Sequence, residues 1–452
     1  MSLPSTYYNI YKYFDDALTF LKEYEWIYNY PNTDVLVEGF LQKIPEDWRD
    51  YFRNIGFSNL RDIALHQVKG DCPQSFKIFL YKLQHLTSTS GSYEIKQSEN
   101  ILSHNCGLSM KKKHEIEMLA PVVAELCEKT NSKHVIDIGA GLGHLSFMLA
   151  NKYNYSVLAI EGCIEKIELA VKTESKFYKN SIISFHHHFI TEKSFDEISE
   201  AIEKKLGSSN KICMYGLHAC ADLSAVILDL FLKLTNVKSL VIMPCCYHRL
   251  DLDKVIDEEV YFKNFPLSDV LKSMFEKHKA TSFLRRPFLR LACQQTVKKF
   301  IDMSENEHIY HAENFMWRAV LQQAAKEFDC NVLRLKRKMG QPKNKENVFE
   351  YHLENLPKTH TLLSKDITVN PPEIGGFLFK NKILTIWKKE EHNLILFAAF
   401  TTLQNSLQNL CENILLQDRV QFMNEKGVNC YIKQITDDSI SPRCMALIAI
   451  KD

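Results

Sequence analysis

The stretch "VIDIGAGLGHLS" (residues 135–146) joins an apolar run, an acid and three closely spaced glycines. The apolar run predicts a buried strand that ends near Asp137, and the residues after Gly143 have the pattern of a helix. Glycine lets the backbone turn sharply and approach a ligand that a side chain would exclude. The stretch therefore predicts a strand, a ligand-binding turn and a helix.

The spacing of the glycines indicates which ligand this turn binds. A dinucleotide fingerprint G-x-G-x-x-G needs a small residue at position 144, which is His. An acid two residues before the first glycine, without that third glycine, is typical of S-adenosylmethionine (AdoMet) sites. We therefore predict AdoMet as the cofactor, bound by Asp137, Gly139, Gly141 and Gly143. Glu161, which ends the next apolar run, is predicted to accept hydrogen bonds from the ribose hydroxyls.

Further along the chain, strand patterns alternate with helical ones. Five apolar runs, beginning at 134, 156, 181, 211 and 239, are separated by four amphipathic stretches. This alternation predicts a parallel sheet with helices on both faces. Two last runs, "VNCYIKQI" and "CMALIAIKD", are joined by a short connection and predict an antiparallel hairpin. The predicted fold class is α/β, a Rossmann-like sheet of the class I methyltransferase type, mostly parallel with a terminal antiparallel hairpin.

The rest of the chain predicts additional domains. The 452 residues suffice for two or three domains. We expect a helical N-terminal domain over 1–100 and the first part of the methyltransferase core over 101–250. A mainly helical insertion that forms a wall for the substrate is expected over 251–385, and the final helix and hairpin of the core over 386–452. The polar segment 86–100 is predicted to be a linker.

Composition narrows the class of protein. The formal net charge of +1 provides no general attraction to nucleic acid. No apolar run reaches the roughly 20 residues that span a bilayer. Thirteen cysteines, an odd and scattered number, indicate reduced thiols. The predicted location is the cytoplasm or the nucleus.

The runs that form the predicted fourth and fifth strands end in reactive side chains. "CMYGLHACADLS" carries His218, Cys220 and Asp222, and "SLVIMPCCYHRL" carries Pro244, Cys245, Cys246, Tyr247 and His248. Because ligands of open α/β sheets bind at the carboxyl ends of the strands, these residues are expected beside the methyl acceptor. We predict catalytic roles for His218, Asp222, Tyr247 and His248. Contacts with the substrate are predicted for Cys220, Pro244, Cys245 and Cys246.

Other interpretations of these two loops remain open. The cysteines could be small buried core residues, or one could be a thiolate nucleophile. A zinc site from His218, Cys220, Cys246 and His248 is chemically reasonable. However, adjacent Cys245 and Cys246 are expected to point in different directions, and no metal ligands are predicted. Pro244 and Tyr247 superficially resemble the loop of amine methyltransferases, but Met243 replaces its amide or acid and the loop follows the wrong strand.

Basic and histidine-rich segments are further candidates for binding. Lys111–Lys113 lie at a predicted helix start, where they could attract an anionic substrate, and Pro121 is expected to interrupt that helix. The run 334–345 contains six basic residues and no acid, so RNA is a conceivable partner. The three histidines at 186–188 lie in a strand pattern and are interpreted as structural.

Several motifs, taken together, resemble a known family. "SMKKKHEIE", "VIDIGAGLGHLS", "GLHACADLS", "MPCCYH", "LRLACQQ" and "SPRCMALIAIK" occur in the order typical of the methyltransferase-like twenty-five family. Close relatives of that family are named for a ribosomal RNA adenine dimethylase domain. The resemblance runs from about Trp26 to Lys451. It implies an AdoMet-dependent methyltransferase with a helical N-terminal domain, and its AdoMet-loop pattern falls on Asp137, Gly139, Gly141 and Gly143.

Two functional hypotheses follow. The first is an AdoMet-dependent methyltransferase whose acceptor, a protein, an RNA or a small molecule, is unknown. The second is a catalytically inactive methyltransferase fold that acts as a scaffold or binding module.

Overall fold

The computed structural model describes residues 3–88, 108–177, 182–294, 297–336, 348–366 and 368–451. Most of the predicted linker and most of the basic run 334–345 lie outside the described residues. The chain divides into two compact units, one of residues 1–19, 86–294 and 410–452, and the other of residues 20–85 and 295–409. The four-part division expected from the sequence stays a prediction.

Helices and strands are numbered separately in chain order. The helices are α1 (Ile10–Glu23), α2 (Phe40–Lys43), α3 (Glu46–Ile55), α4 (Leu60–Ala64), α5 (Gln74–Thr87), α6 (Met110–Thr130), α7 (His144–Tyr153), α8 (Ile164–Phe177), α9 (Phe195–Leu206), α10 (Leu223–Lys233), α11 (Asp269–His278), α12 (Arg286–Leu291), α13 (Val297–Ile301), α14 (Glu305–Glu327), α15 (Val348–Thr359), α16 (Phe377–Glu390) and α17 (Leu394–Glu425). The strands are β1 (His134–Ile138), β2 (Ser156–Glu161), β3 (Ile183–His187), β4 (Ile212–Cys220), β5 (Val237–Cys245), β6 (Leu252–Ile256), β7 (Glu259–Phe262), β8 (Cys330–Arg334), β9 (His360–Ser364), β10 (Asn429–Gln434) and β11 (Met445–Ile450).

A seven-stranded sheet organises the first unit. Its spatial order is β10-β11-β5-β4-β1-β2-β3. Strands β1 to β5 pair in parallel, whereas β11 is antiparallel to both of its neighbours, β5 and β10. A parallel sheet with a reversed terminal pair is the class I methyltransferase arrangement, so the predicted fold class is confirmed.

Alternation of side chains along the strands gives the sheet two cores. In β5, Leu240 and Ile242 pack into the cluster on one face and Val241 and Met243 into the cluster on the other. The first face is covered by α9, α10 and the end of α17, and the second by α6 and α7. Each fully buried aliphatic side chain contributes about 1.5–3 kcal/mol, which explains why such apolar runs form central strands.

The expectation that Pro121 interrupts its helix is wrong. Helix α6 continues from Met110 to Thr130 with Pro121 inside it. Proline removes one backbone hydrogen bond, but Ile116, Leu119 and Val123 on both sides of it are fully buried. Tertiary packing of the helix outweighs the lost hydrogen bond.

The second unit is built around helices with an aromatic core. Trp48 packs against Phe76 and Phe79, and Phe400 packs against Phe40 and Phe315. Its β8 and β9 form a separate antiparallel pair. That pair, and the β6–β7 hairpin of the first unit, are not predicted by the sequence patterns.

Candidate functional site

A cavity of about 940 Å³ opens at the carboxyl ends of β1, β2, β3 and β4. This edge of the sheet is where open α/β folds bind their ligands, and the volume lies in the range of small-molecule sites. Its lining includes Gly139, Glu161, Cys220 and Asp222 from the predicted site. Four basic side chains also line it: Lys166, Lys193, Arg249 and Lys263.

The glycine loop has the backbone conformation that its sequence predicts. Gly139, Gly141 and Gly143 have φ of +73°, +61° and +71°. Other residues adopt this left-handed region at a cost of about 1–2 kcal/mol, so three such positions in five residues favour glycine. At Gly139 the loop brings bare backbone to the cavity.

Glu161 is held against this loop. Its Oε2 accepts a hydrogen bond from the amide of Gly141 at 2.8 Å, and its Oε1 accepts one from the amide of Cys163 at 3.0 Å. Lys166 Nζ lies 3.3 Å from Oε1. The carboxylate of a largely buried residue is thus fixed at the wall of the cavity, beside the glycine loop, where the sequence predicts a ribose-binding acid.

Gly162, directly after this acid, is a further candidate position at the cavity that the sequence pattern did not indicate. A Cβ at Gly162 would lie 2.8 Å from Cδ2 of Phe189 and 3.3 Å from its Cα. Phe189 belongs to the segment after β3 that lines the cavity. Glycine therefore allows that segment to approach the end of β2. The last glycine of "SVLAIEG" marks this position in the sequence. Its importance becomes clear only when β2 and β3 are known to be neighbours, because Phe189 follows β3.

Asp137 lies beneath the loop and is buried. Its Oδ2 accepts a hydrogen bond from Ser146 Oγ at 2.6 Å. Burial raises the pKa of Asp137 to about 7, although hydrogen bonds from Ser146 and Tyr215 act in the opposite direction. Its position links the end of β1 to the first turn of α7, which carries Ser146.

β4 is longer than the sequence analysis expects. The apolar run ends at Leu217, but after an irregularity between Gly216 and Ala219 the pairing resumes, with Ala219 opposite Pro244 and Cys220 opposite Cys245. This pairing brings the ends of β4 and β5 side by side. The Sγ atoms of Cys220 and Cys245 are 3.0 Å apart.

The thiols of Cys220, Cys245 and Cys246 lie within 4.8 Å of one another. The expectation that Cys245 and Cys246 point in different directions is therefore wrong. Hydrogen bonding from Cys245 lowers the pKa of Cys220, whereas the same contact raises the pKa of Cys245. Electrostatic interactions with His218 and Arg249 also lower the pKa of Cys220.

His218 is paired with an acid that the sequence analysis missed. Its Nε2 lies 3.3 Å from Oε2 of Glu115, and its side chain is 43% exposed while that of Glu115 is 2% exposed. Glu115 also accepts a hydrogen bond from Ser441 Oγ at 2.6 Å. Burial alone would raise the pKa of Glu115, but the contacts with His218, Ser441 and Lys111 lower it. The carboxylate is thus a fixed negative charge that orients the imidazole.

The other three predicted catalytic residues are Asp222, Tyr247 and His248, and each has different contacts. Asp222 accepts hydrogen bonds from the amide of Asp251 and from Asn264 Nδ2, so it holds the segment after β5 at the cavity. Tyr247 is fully buried, and its hydroxyl donates to the carbonyl of buried Pro244 at 3.4 Å. Burial and the charges of Arg290, Arg249 and Arg286 lower the pKa of His248.

Some side chains of the basic and histidine-rich segments predicted as binding candidates are paired with other polar side chains. Lys111 and Lys113 each face an acid one helical turn away, Glu115 and Glu117. His186 lies 2.9 Å from Glu197, and His188 Nε2 lies 2.7 Å from Ser194 Oγ at the edge of the cavity. Of the basic run, Arg334, Leu335 and Lys336 are described, and the remainder lies outside the described residues.

Residues 111–253 match a family model described as a methyltransferase domain. This part of the chain is therefore similar to a methyltransferase domain. The match covers the glycine loop, Glu161 and the ends of β4 and β5 with their thiols.

Among the described residues, no helix is both long enough and apolar enough to cross a bilayer.

The chain is also similar to curated proteins. The chain is 27% identical over 288 residues to human "Probable methyltransferase-like protein 25", covering 62% of this chain and 42% of that protein. It is 28% identical over 287 residues to the mouse protein of the same name, covering 62% and 43%. The predicted resemblance to the methyltransferase-like twenty-five family is confirmed, and the chain spans less than half of the length of these relatives.

Among solved structures, one match to this chain is the methyltransferase domain of bacterial CtHen1-CN. It is 12% identical, with a TM-score of 0.22, and the match covers 37% of this chain and 85% of that one.

Proposed function

We propose that the chain transfers a methyl group from AdoMet to an acceptor bound at the carboxyl ends of β4 and β5. The observation that carries the proposal is that Glu161 and Gly139 both line the 940 Å³ cavity, with Glu161 bonded to the glycine loop at Gly141. AdoMet supplies a sulfonium that is already activated for transfer. The protein therefore needs mainly to align the acceptor with the methyl group and to exclude water.

In this proposal the cofactor lies along the ends of β1 and β2. Bare backbone at Gly139–Gly143 allows close approach of its amino-acid and ribose portions. Glu161 accepts hydrogen bonds from the ribose hydroxyls with charge assistance. Asp137 acts from below, by fixing the loop through Ser146.

The acceptor would face the ends of β4 and β5, where His218 is the favoured base. When Nε2 donates its hydrogen to Glu115, the lone pair of Nδ1 is left to accept a proton from the acceptor. A buried carboxylate that fixes the tautomer of a histidine in this way is a common arrangement in catalytic sites. Glu115 is thus a positioning residue for His218.

Transfer of labelled methyl groups tests this function. Purified protein with methyl-labelled AdoMet would be incubated with fractionated cell extract, each fraction with and without prior ribonuclease or protease treatment. We expect label in one class of fraction from wild type and a loss of at least about tenfold with Glu161→Gln. Sensitivity to protease or ribonuclease would identify the acceptor as protein or RNA, and insensitivity to both would indicate a small molecule.

The same experiment separates the enzyme from a scaffold. A protein that binds AdoMet but labels no fraction would contradict the proposed transfer. Glu168→Gln, an exposed acid of α8, is the matched control because it removes the same charge outside the cavity.

A further inference from the structure

Three thiols converge at the edge of the cavity, at the ends of two adjacent strands. The Sγ atoms of Cys220, Cys245 and Cys246 all lie within 4.8 Å of one another. Within the parts of the chain that the structure describes, this is the one group of three or more potential metal ligands so close together. Cys220 also lines the cavity.

The backbone adopts costly conformations that bring these thiols together. Ala221 and Cys246 have φ of +50° and +55°, in the left-handed region that residues with a Cβ disfavour by about 1–2 kcal/mol. The amide of Ala221 donates to the carbonyl of Cys245 at 2.8 Å and ties the two turns to each other. Strained backbone of this kind clusters at functional sites.

The donor set selects a soft metal. Thiolates favour zinc and copper(I) over magnesium and calcium. Zinc binds cysteine sulfur at about 2.3 Å with tetrahedral geometry, which places ligand sulfurs about 3.8 Å apart. The Sγ atoms of Cys220 and Cys245 are 3.0 Å apart, and no separation within the trio exceeds 4.8 Å, so each sulfur pair lies within about 1 Å of that value. Side-chain movements of about 1 Å would therefore complete the site.

We propose that Cys220, Cys245 and Cys246 bind one Zn²⁺ through three thiolates, with the fourth position open. Three thiolates and one divalent ion leave a single negative charge. Arg249 lies three residues after Cys246 and acts electrostatically on both Cys220 and Cys246, so it offsets that charge. Because Cys220 lines the cavity, the ion would lie at the border between the cavity and the β4 and β5 ends.

Cobalt substitution tests the proposal without any methyltransferase activity. Reduced, chelator-treated full-length protein would be titrated anaerobically with Co²⁺, and sulfur-to-cobalt charge-transfer absorption would be recorded. We expect saturation at one equivalent and displacement by Zn²⁺. Cys246→Ser and Cys245→Ser should each weaken binding by more than the roughly 10–100-fold that loss of an outer-shell partner costs.

Two controls keep the outcome interpretable. Cys163→Ser removes a partly exposed thiol of the same cavity that lies outside the trio, and it should bind cobalt as wild type does. A second measurement needs only the wild-type protein, so it does not depend on whether a serine variant folds. With Zn²⁺ bound, three fewer thiols should react with a thiol reagent than without it. Absence of charge-transfer absorption in the wild type, or an equal loss with Cys163→Ser, would overturn the metal site.

Discussion

At the residue scale, the chemistry of the candidate site depends on how each polar group is paired. Glu161 is bonded to two backbone amides, Glu115 to His218 and Ser441, and Asp137 to Ser146. Glu161 and Asp137 are readable from the sequence because they end strands next to glycines. Glu115 is not, because its partners His218 and Ser441 are more than 100 residues away along the chain. Only the fold brings them together.

Asp137 should make stability depend on pH. Its pKa is raised from 3.8 to about 7 by burial, so between these values the folded protein holds a proton that the unfolded chain has released. The free energy of unfolding therefore falls as pH rises from about 4 to about 7. Asp137→Asn removes this effect, so the free energy of unfolding of the variant relative to wild type should increase by about 3 kcal/mol between pH 5 and 8.

Denaturant unfolding of both proteins at a series of pH values checks this prediction. The comparison cancels groups that titrate alike in the two proteins. If the difference in unfolding free energy between the two proteins stays constant from pH 5 to 8, burial does not raise the pKa of Asp137, and the prediction is contradicted.

Glu115→Gln should reduce methyl transfer without preventing cofactor binding. The amide keeps the size of the side chain but loses the charge that orients His218, and we expect kcat to fall about 10–100-fold. S-adenosylhomocysteine affinity should be unchanged, since Glu115 contacts the proposed base and not the cofactor loop. Glu117→Gln, a buried acid of the same helix paired with Lys113, is the control. Equal losses of activity in both variants would refute the positioning role.

At the element scale, the sheet follows from the sequence but the ends of its strands do not. Apolar runs long enough to be buried on both faces predict β1 to β5, and the short connection predicts the final hairpin. The extension of β4 to Cys220 depends on an irregularity after Gly216 that no sequence pattern marks. Strand β6 is not predicted because all five of its residues are exposed, so it lacks the apolar alternation of a core strand.

Within the first unit, one buried acid connects the last part of α17 to the start of α11. Asp418 of α17 is fully buried and accepts hydrogen bonds from the amides of Leu267 and Ser268 and from Ser268 Oγ, at 2.8–2.9 Å. Ser268 is the N-cap residue of α11. Asp418→Ala would leave three donors unpaired, so we expect the free energy of unfolding to fall by about 3 kcal/mol or more.

The control for Asp418 is an acid two helical turns further along. Glu425 accepts from the amides of Asp269 and Val270 at the start of the same helix α11, but its side chain is partly exposed. Water can replace its hydrogen bonds, so Glu425→Ala should cost about 1 kcal/mol. Chemical denaturation of the two variants compares them, and equal losses would contradict the buried role of Asp418.

At the scale of the whole molecule, the cavity combines segments that are distant in the sequence. The glycine loop, the end of β2, the turn after β3 and the segment after β5 each contribute lining residues. The first two are predictable because glycine spacing and an acid after a strand carry a recognisable signal. Lys263 and Asn264 are not, because their place at the cavity depends on the β6–β7 hairpin and on Asn264 bonding to Asp222.

The cysteine cluster shows the same limit. Cys220, Cys245 and Cys246 are each identifiable as candidate site residues from their positions after apolar runs. Their convergence is not predictable, because it depends on pairing of Cys220 with Cys245 and on the left-handed conformation of Cys246. Sequence spacing alone gives no indication that a cysteine adopts that conformation.

The most direct test of the account is calorimetric titration with AdoMet and with S-adenosylhomocysteine. Wild type would be compared with Gly141→Arg, where a side chain replaces bare backbone at φ +61°, and with the exposed control Glu168→Gln. We expect micromolar binding to wild type and control, and its loss in Gly141→Arg while circular dichroism shows the variant folded. Undetectable binding of both ligands to folded wild type, or full binding by Gly141→Arg, would contradict the cofactor site on which the account rests.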